Sequence, residues 1–319
     1  MKLNEIIERN DAFALVKRAD IKTGKNGKYL DLILVDKETE ISAKYWDYEL
    51  KPVEISLGDV VKIRATASEF NNIKQLRIEQ IRLATPEDNV NVADLTRASE
   101  YPSEDMFNEI YNLINDFSDE DLKKLTLKIF DDKKEKLLFF PAATRLHHAM
   151  YGGLLYHTLS VMKIALQVCK VYPNIDKDLL LCGAALHDIG KLDELESNEY
   201  GIAGEYTTDG QLVGHLIRGT ILVRMAGEEL NIPEEKIRLV EHMILSHHGI
   251  PEHGSVVRPK FTEAAVLSAL DDLDAKIFEW FEATAEAEAN TFTNRQWALD
   301  DVRVYNHGRT TPKPSAKLL

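Results

Sequence analysis

The sequence predicts a protein of two domains and mixed α and β class, a small five-stranded β-barrel followed by an all-α helical bundle. Three observations predict it. Over the first 84 residues apolar side chains alternate with period two, as in Leu30, Leu32, Leu34 and Val61, Ile63, Ala65. From Ser103 onward they recur every three or four residues, as in Ile110, Leu113, Ile114 and Leu122, Leu125, Ile129. At 319 residues and 44% hydrophobic content the chain can fill two cores.

Five β-rich segments are expected, at Ala12 to Ala19, Lys28 to Val35, Glu40 to Asp47, Val60 to Ala67 and Ile73 to Arg82. Asn26-Gly27, Asp36-Lys37, Gly58-Asp59 and Asn71-Asn72 supply turns between them. Five short antiparallel strands in about 70 residues suit a closed barrel of the OB type better than a sandwich, which needs seven or more strands. The first domain is therefore set at residues 1–84. Residues 85–102 are polar, bounded by Pro86 and Pro102, and carry only Val90, Val92 and Leu95 as large apolar residues, so they read as a linker. The helical domain spans 103–305. Its later helices are expected at 154–172, 177–188, 208–230, 233–247 and from Thr262 to about Ala287. Pro233 before Glu234 and Glu235 suits a helix start, and Gly249 after His248 suits a helix end. Residues 306–319 read as a flexible tail.

Composition narrows the function classes. No run of 18 apolar residues occurs and the first ten residues are charged, which argues against a membrane span or signal peptide and for a soluble, cytoplasmic protein. Cys169 and Cys182 form no CxxC pair, so neither a disulfide framework nor a thiolate metal site is expected. Any metal must then use histidine and carboxylate. The net charge of −14 is uneven: residues 1–84 hold 15 Lys+Arg against 14 Asp+Glu, whereas the remainder holds 24 against 39. Downstream acidity is the ordinary surface of a helical domain and does not exclude nucleic acid for the first domain.

Five of the ten histidines fall in an ordered series with aspartates: His157, His187-Asp188, His215, His247-His248, then one of Asp271, Asp272 and Asp274. A single His-Asp pair means little, because chance alone supplies about 0.7 of them in such a chain. The spacing means more. Gaps of 30, 28 and 32 residues, then 24 to Asp271, each match one helix plus one connection, which returns side chains to one level of a bundle. Imidazole and carboxylate together suit Mn²⁺, Fe, Zn²⁺ or Co²⁺, with Mg²⁺ less favoured, and a carboxylate can bridge two ions about 3.5 to 4 Å apart. Asp188 is the expected bridge, between one ion on His157, His187 and Asp271 and another on His215 and His247 or His248. Such a pair serves phosphoester hydrolysis, by lowering the pKa of water and stabilising charge on phosphoryl oxygens.

The series and its local strings resemble a known family. Gly152-Gly-Leu-Leu-Tyr-His-Thr158, Leu186-His-Asp-Ile-Gly-Lys191, Glu205-Tyr-Thr-Thr-Asp-Gly-Gln-Leu-Val-Gly-His215, Leu245-Ser-His-His-Gly249 and Leu273-Asp-Ala-Lys276 are similar to the HD-domain phosphohydrolases, and within them to the YhaM-type 3′-to-5′ exoribonucleases, which join an OB domain to an HD domain. The resemblance covers about residues 12 to 305, including Phe292-Thr-Asn-Arg-Gln-Trp-Ala-Leu-Asp300. It implies Asp271, four residues before Ala275, as the last metal ligand. It also implies two divalent ions, Mn²⁺ first, and single-stranded RNA as substrate, with single-stranded DNA a further one. Self-association is left open.

Asp188, Lys191 and His215 are the expected catalytic residues, Lys191 being three residues beyond the metal pair and within reach of a phosphate oxygen. His148 and His248 are expected at the substrate, while His147 and Arg145 are assigned to structure. In the barrel, Lys22, Lys25 and Lys28 in the first loop, Lys44 and Trp46 on the third strand and Phe70 in the last loop are the expected strand-binding residues, cations for phosphates and aromatics for bases. Two alternatives are an HD hydrolase of a small nucleotide or cyclic dinucleotide, and a binding protein whose metal is structural.

Overall fold

The computed structural model describes residues 1–310 apart from 26, 71–72, 92–93, 144–147, 199–200, 202 and 286, with residue 203 described by its backbone alone. Expectations for Asn26, Asn71, Asn72, Val92, Arg145, His147 and the tail from 311 onward lie outside the described residues. The chain divides into two units, residues 1–98 with 197–204, and residues 99–196 with 205–319.

The alternation of the first unit becomes β1 (Asn10–Gly24), β2 (Gly27–Val35), β3 (Glu40–Tyr45), β4 (Val60–Phe70) and β5 (Ile73–Leu83). They close in the order β1-β2-β3-β5-β4. β1 is long enough to serve both sides: residues 10–15 pair with β4 and residues 15–24 with β2, with a register shift between Val16 and Arg18. A bulge there bends the strand and lets a five-stranded sheet curl onto itself. Closure runs between β3 and β5, which pair in parallel through Ala43–Leu76 and Tyr45–Ile78, in place of the all-antiparallel arrangement read from the sequence. Leu32, Leu34, Ala43, Val61, Ala65 and Leu76 point inward and are fully buried. Each larger side chain among them contributes about 1.5 to 3 kcal/mol by leaving water. Residues 85–91 and 94–98 of the expected linker group with the barrel: Arg82 holds Asp88 through two 2.7 Å contacts, and Leu95 is buried with Leu15.

The second unit contains α1 (Ser103–Asn115), α2 (Glu120–Leu137), α3 (Gly153–Val171), α4 (Lys177–Leu186), α5 (Lys191–Glu194), α6 (Thr208–Leu212), α7 (His215–Glu229), α8 (Glu234–Ser246) and α9 (Thr262–Ala285). A ribbon of β8 (Thr291–Gln296) with β9 (Val302–Asn306) accompanies the helices, and β6 (Leu195–Ser197) pairs with β7 (Ala203–Tyr206) where residues 197–204 leave and rejoin this unit. The sequence reading has no strand in either place. α3 is buried on nearly every side from Gly153 to Met162, as expected of a central helix rather than an amphipathic surface one. Asp119 caps α2 by accepting from Asp121 N and Leu122 N, and Asp176 caps α4 by accepting from Leu179 N. The single helix expected at 208–230 is two, α6 and α7. Thr207 caps α6, and Gly214 at φ +78° and ψ 164° breaks the helix immediately before His215. Among the described residues no helix is long and apolar enough to cross a membrane.

Candidate functional site

The site starts from a close backbone approach. His187 ends α4 and Asp188 opens the turn into α5, where a Cβ on Gly190 would lie 2.1 Å from His215 O and 2.7 Å from Gly219 N. Only glycine lets the turn touch α7, and this contact sets Asp188 opposite His215. α3 brings His157, the end of α8 brings His247, and α9 brings Asp271.

The histidines then order themselves. His187 Nδ1 donates to Ala184 O at 2.9 Å and His247 Nδ1 to Ile244 O at 2.8 Å. Carbonyl oxygens only accept, so both rings carry their proton on Nδ1 and, when neutral, turn a bare Nε2 inward. His215 Nδ1 meets Glu194 Oε1 at 2.9 Å, and His157 Nδ1 meets Asp274 Oδ2 at 2.8 Å. Asp188 receives these nitrogens on two sides. Its Oδ2 lies 3.4 Å from His187 Nε2 and 3.8 Å from His157 Nε2, while its Oδ1 lies 3.7 Å from His215 Nε2 and 3.6 Å from His247 Nε2. Asp271 Oδ1 completes the first side, 3.0 Å from His157 Nε2 and 3.7 Å from His187 Nε2.

Two donors on one ion, each about 2.0 to 2.2 Å from it, stand about 3 to 4 Å apart. The observed spacings match. Asp188 Oδ1, His215 Nε2 and His247 Nε2 are buried without a hydrogen-bond partner among the described residues, a costly arrangement unless a cation supplies the missing interaction. His157 Nε2 and His187 Nε2 lie 3.1 Å apart beside Asp271 Oδ1, three ligand atoms converging on one point. The described residues thus fit divalent metal on both faces of the Asp188 carboxylate.

Electrostatics agree with the geometry. Burial works against the Asp188 carboxylate, but the Lys191 ammonium and His187 outweigh it and hold its pKa well below the usual carboxylate range. Lys191 Nζ donates to Asp188 Oδ2 at 2.7 Å, and that contact overcomes its own burial and raises its pKa. Burial lowers the pKa of His247, and burial with His247 and His215 alongside pushes that of His248 down to about 3, so both imidazoles offer lone pairs. His157 runs the other way: Asp271 and Asp274 overcome burial and raise its pKa to about 10. A proton and a divalent ion compete there for one lone pair.

The expected site residues are distributed unevenly. His157, His187, Asp188, His215, His247 and Asp271 meet in one cluster, and His248 is grouped with His215 and His247. Lys191, expected at the phosphate, is already engaged with Asp188, although it also lines the cavity beside the cluster. His148 is displaced from the role expected of it. It is only 1% exposed, and its Nε2 meets Asp274 Oδ2 at 2.9 Å behind His157, where it buttresses the cluster. Glu194 is missed by the sequence reading, and Asp274 enters it only as a rival of Asp271 for the metal. Asp274 holds His148, His157 and Ser160 together, and Glu194 accepts from both the ring and the backbone N–H of His215. Asp274 stands three residues after Asp271, and Glu194 three after Lys191, so helical spacing was the available signal. The cluster opens on a cavity of about 580 Å³ lined by Asp188, Lys191, His247, His248 and Asp271 with residues of α9.

On the barrel, Lys44 lies 5.7 Å from the Trp46 ring, 5.6 Å from Phe70 and 5.8 Å from Tyr29, which the sequence reading overlooked. Tyr29 and Trp46 centroids are 4.4 Å apart, and Trp46 and Phe70 are 47% and 61% exposed. Exposed aromatics around one cation form a stacking surface that apolar packing has not consumed. Lys25 and Lys28 are exposed at the turn between β1 and β2. Lys22 differs, since its ammonium is taken by Asp31 at 2.5 Å.

Comparison with known proteins follows the same division. The HD domain family model matches residues 154–276, and a second model, TraI_2, matches residues 98–174. Solved structures similar to the barrel include the second OB-fold domain of replication protein A from Methanococcus maripaludis, 20% identical, covering 26% of this chain and 92% of that one with a TM-score of 0.23. The OB domain of Ta0387 from Thermoplasma acidophilum is 16% identical over 28% of this chain and 88% of its own, also at 0.23. Such scores carry no argument about binding, and the barrel assignment rests on its strand pairing. The 3′-5′ exoribonuclease YhaM of Bacillus licheniformis is 33% identical over 306 residues, 95% of this chain and 96% of the relative. With barrel, helices and histidine series all inside that span, the chain belongs to the YhaM 3′-5′ exoribonuclease family.

Proposed function

We propose that this protein is a metal-dependent 3′-to-5′ exonuclease that shortens single-stranded RNA, and single-stranded DNA more weakly, one nucleoside 5′-monophosphate at a time. The observation that carries the reading is the Asp188 carboxylate, each of whose oxygens faces its own set of inward Nε2 atoms. His157, His187, Asp188 and Asp271 would hold one ion, and Asp188, His215 and His247 the other, with Mn²⁺ the first choice for this mixed nitrogen and oxygen set. When bound, two divalent ions polarise the phosphoryl group and lower the pKa of the attacking water.

The chain's own residues do the rest. Glu194 and Asp274 fix the rings of His215 and His157, so the donor set is assembled before substrate arrives. Lys191 keeps a positive charge at the cavity wall, where it offsets charge growing on the non-bridging oxygens. His248 lies beyond His215 and His247 and is free to donate or accept at the substrate. Hydrolysis adds water at phosphorus and releases the 3′ oxygen of the upstream nucleotide, which requires no 2′-hydroxyl and so extends to DNA. The direction of degradation rests on family membership. Tyr29, Trp46, Phe70, Lys25, Lys28 and Lys44 bind the unpaired strand by stacking and charge. The unpaired Cys169 and Cys182 support a reducing, cytoplasmic setting.

The match of 95% of the chain, barrel included, to an exoribonuclease does not favour either a small-nucleotide hydrolase or a purely structural metal. A 5′-labelled RNA with a 3′ hairpin, run with Mn²⁺ beside an unstructured control, tests the reading. A ladder shortening from the 3′ end in the control, with the hairpin protected, is expected, because an A-form duplex is too wide and stiff for a buried site. Internal cuts without a ladder, or full activity in excess EDTA, would overturn it.

A further inference from the structure

The cavity beside the metal centre has a second wall of different character. Asp272 follows the metal-facing Asp271 on α9, and Lys276 lies one turn on, its Nζ 2.6 Å from Asp272 Oδ2. Both line the 580 Å³ cavity and both side chains are about 60% exposed, so Asp272 Oδ1 remains open to a ligand. A cavity of this size holds one small molecule rather than a stretch of strand. The group that distinguishes a chain end from an internal nucleotide is the free vicinal diol of its ribose. A carboxylate with open lone pairs accepts hydrogen bonds from both hydroxyls, and it repels a terminal phosphate.

We propose that Asp272 reads the 2′,3′-diol of the terminal nucleotide, with Lys276 as the positioning residue that holds its carboxylate at the cavity rim. This rests on the exonuclease reading and adds to it the means by which an end is told from an interior position. Without that role, an exposed pair at i and i+4 adds little to the helix and leaves substrate choice untouched.

The test compares three RNA oligomers of one sequence that end in a normal ribose, a 2′-deoxyribose or a 3′-phosphate. Wild type should favour the diol over the 2′-deoxy end by about 10-fold and over the phosphate by 100-fold or more, on the scale of one or two charge-assisted hydrogen bonds. Asp272→Ala and Asp272→Asn should raise KM for the diol end by about 10- to 100-fold with kcat within about 3-fold, and compress the preference among ends. Lys276→Met should fall between wild type and these. Bound Mn²⁺ should stay at the wild-type level in all three variants. Anisotropy titration of the oligomers against EDTA-treated protein should give the same ranking without turnover. Variants that keep the full end preference, or that slow all three ends equally, would overturn the assignment. A wild type that degrades none of the oligomers would instead count against the exonuclease reading itself.

Discussion

Replacing Asp274 by alanine should destabilise the helical domain and loosen its metal together. The carboxylate is 7% exposed and accepts from His148 Nε2 at 2.9 Å, His157 Nδ1 at 2.8 Å and Ser160 Oγ. Removing it takes the shared acceptor from three buried donors, each costing about 1 to 3 kcal/mol if left unmet. Some relaxation reduces the sum, and about 3 to 5 kcal/mol is expected, the range for breaking a buried charged network. For a domain of this size each kcal/mol lowers Tm by about 2 to 4 °C, so the melting transition should fall by about 6 to 20 °C. Loss of the His157 tether should also weaken Mn²⁺ binding by about 10- to 100-fold. Asp274→Asn keeps the volume and one acceptor, and should recover most of the stability while metal affinity stays reduced. Calorimetry in EDTA and Mn²⁺ titration of the folded variants measure the two effects separately. A Tm within 2 °C of wild type together with an unchanged Mn²⁺ dissociation constant would refute the reasoning.

Asp188→Ala removes the carboxylate shared by both donor sets, so elemental analysis should find about two equivalents of metal in wild type and almost none in the variant. Trp46→Ala and Phe70→Ala should each weaken single-stranded RNA binding by about 5- to 100-fold in a filter or anisotropy assay, on the scale of one stacked base, and leave bound metal unchanged. Asp119→Ala removes the α2 cap and the Lys236 contact at 2.7 Å, and should cost about 1 to 2 kcal/mol in a urea melt. Burial raises the Asp119 pKa, but Lys236 and the capped amides outweigh it and leave the folded value below the unfolded one. Its contribution is therefore present above the unfolded pKa of about 3.9 and lost as pH falls through the lower folded value, so wild type and variant should converge in acid.

Local pattern carries the elements of this protein because helix and strand periods are properties of neighbouring residues. Leu30, Leu32 and Leu34 announce a strand, and the gaps between His157, His187, His215 and His247 announce one level of a bundle, before any contact is known. What only the tertiary structure decided are the choices between partners far apart in the chain. β3 and β5 run parallel because the bulged β1 is shared by two neighbours and the sheet must close on its remaining edges. Gly214 looks like any glycine in a helical stretch, and it breaks the helix because His215 has to meet Glu194 with both its ring and its backbone N–H. His148 and Asp274 were weighed from sequence as a substrate contact and a rival metal ligand. They pair with each other, since α9 turns Asp271 toward the nitrogens and Asp274 behind His157. Lys22 and Lys44 are alike as charges in a sequence, but the pairing of β2 with β1 places Asp31 under the first, and Tyr29 of β2, Trp46 just past β3 and Phe70 of β4 surround the second. Residue type sets what a side chain is able to do. Which partner reaches it first is settled by backbone paths that no local period encodes.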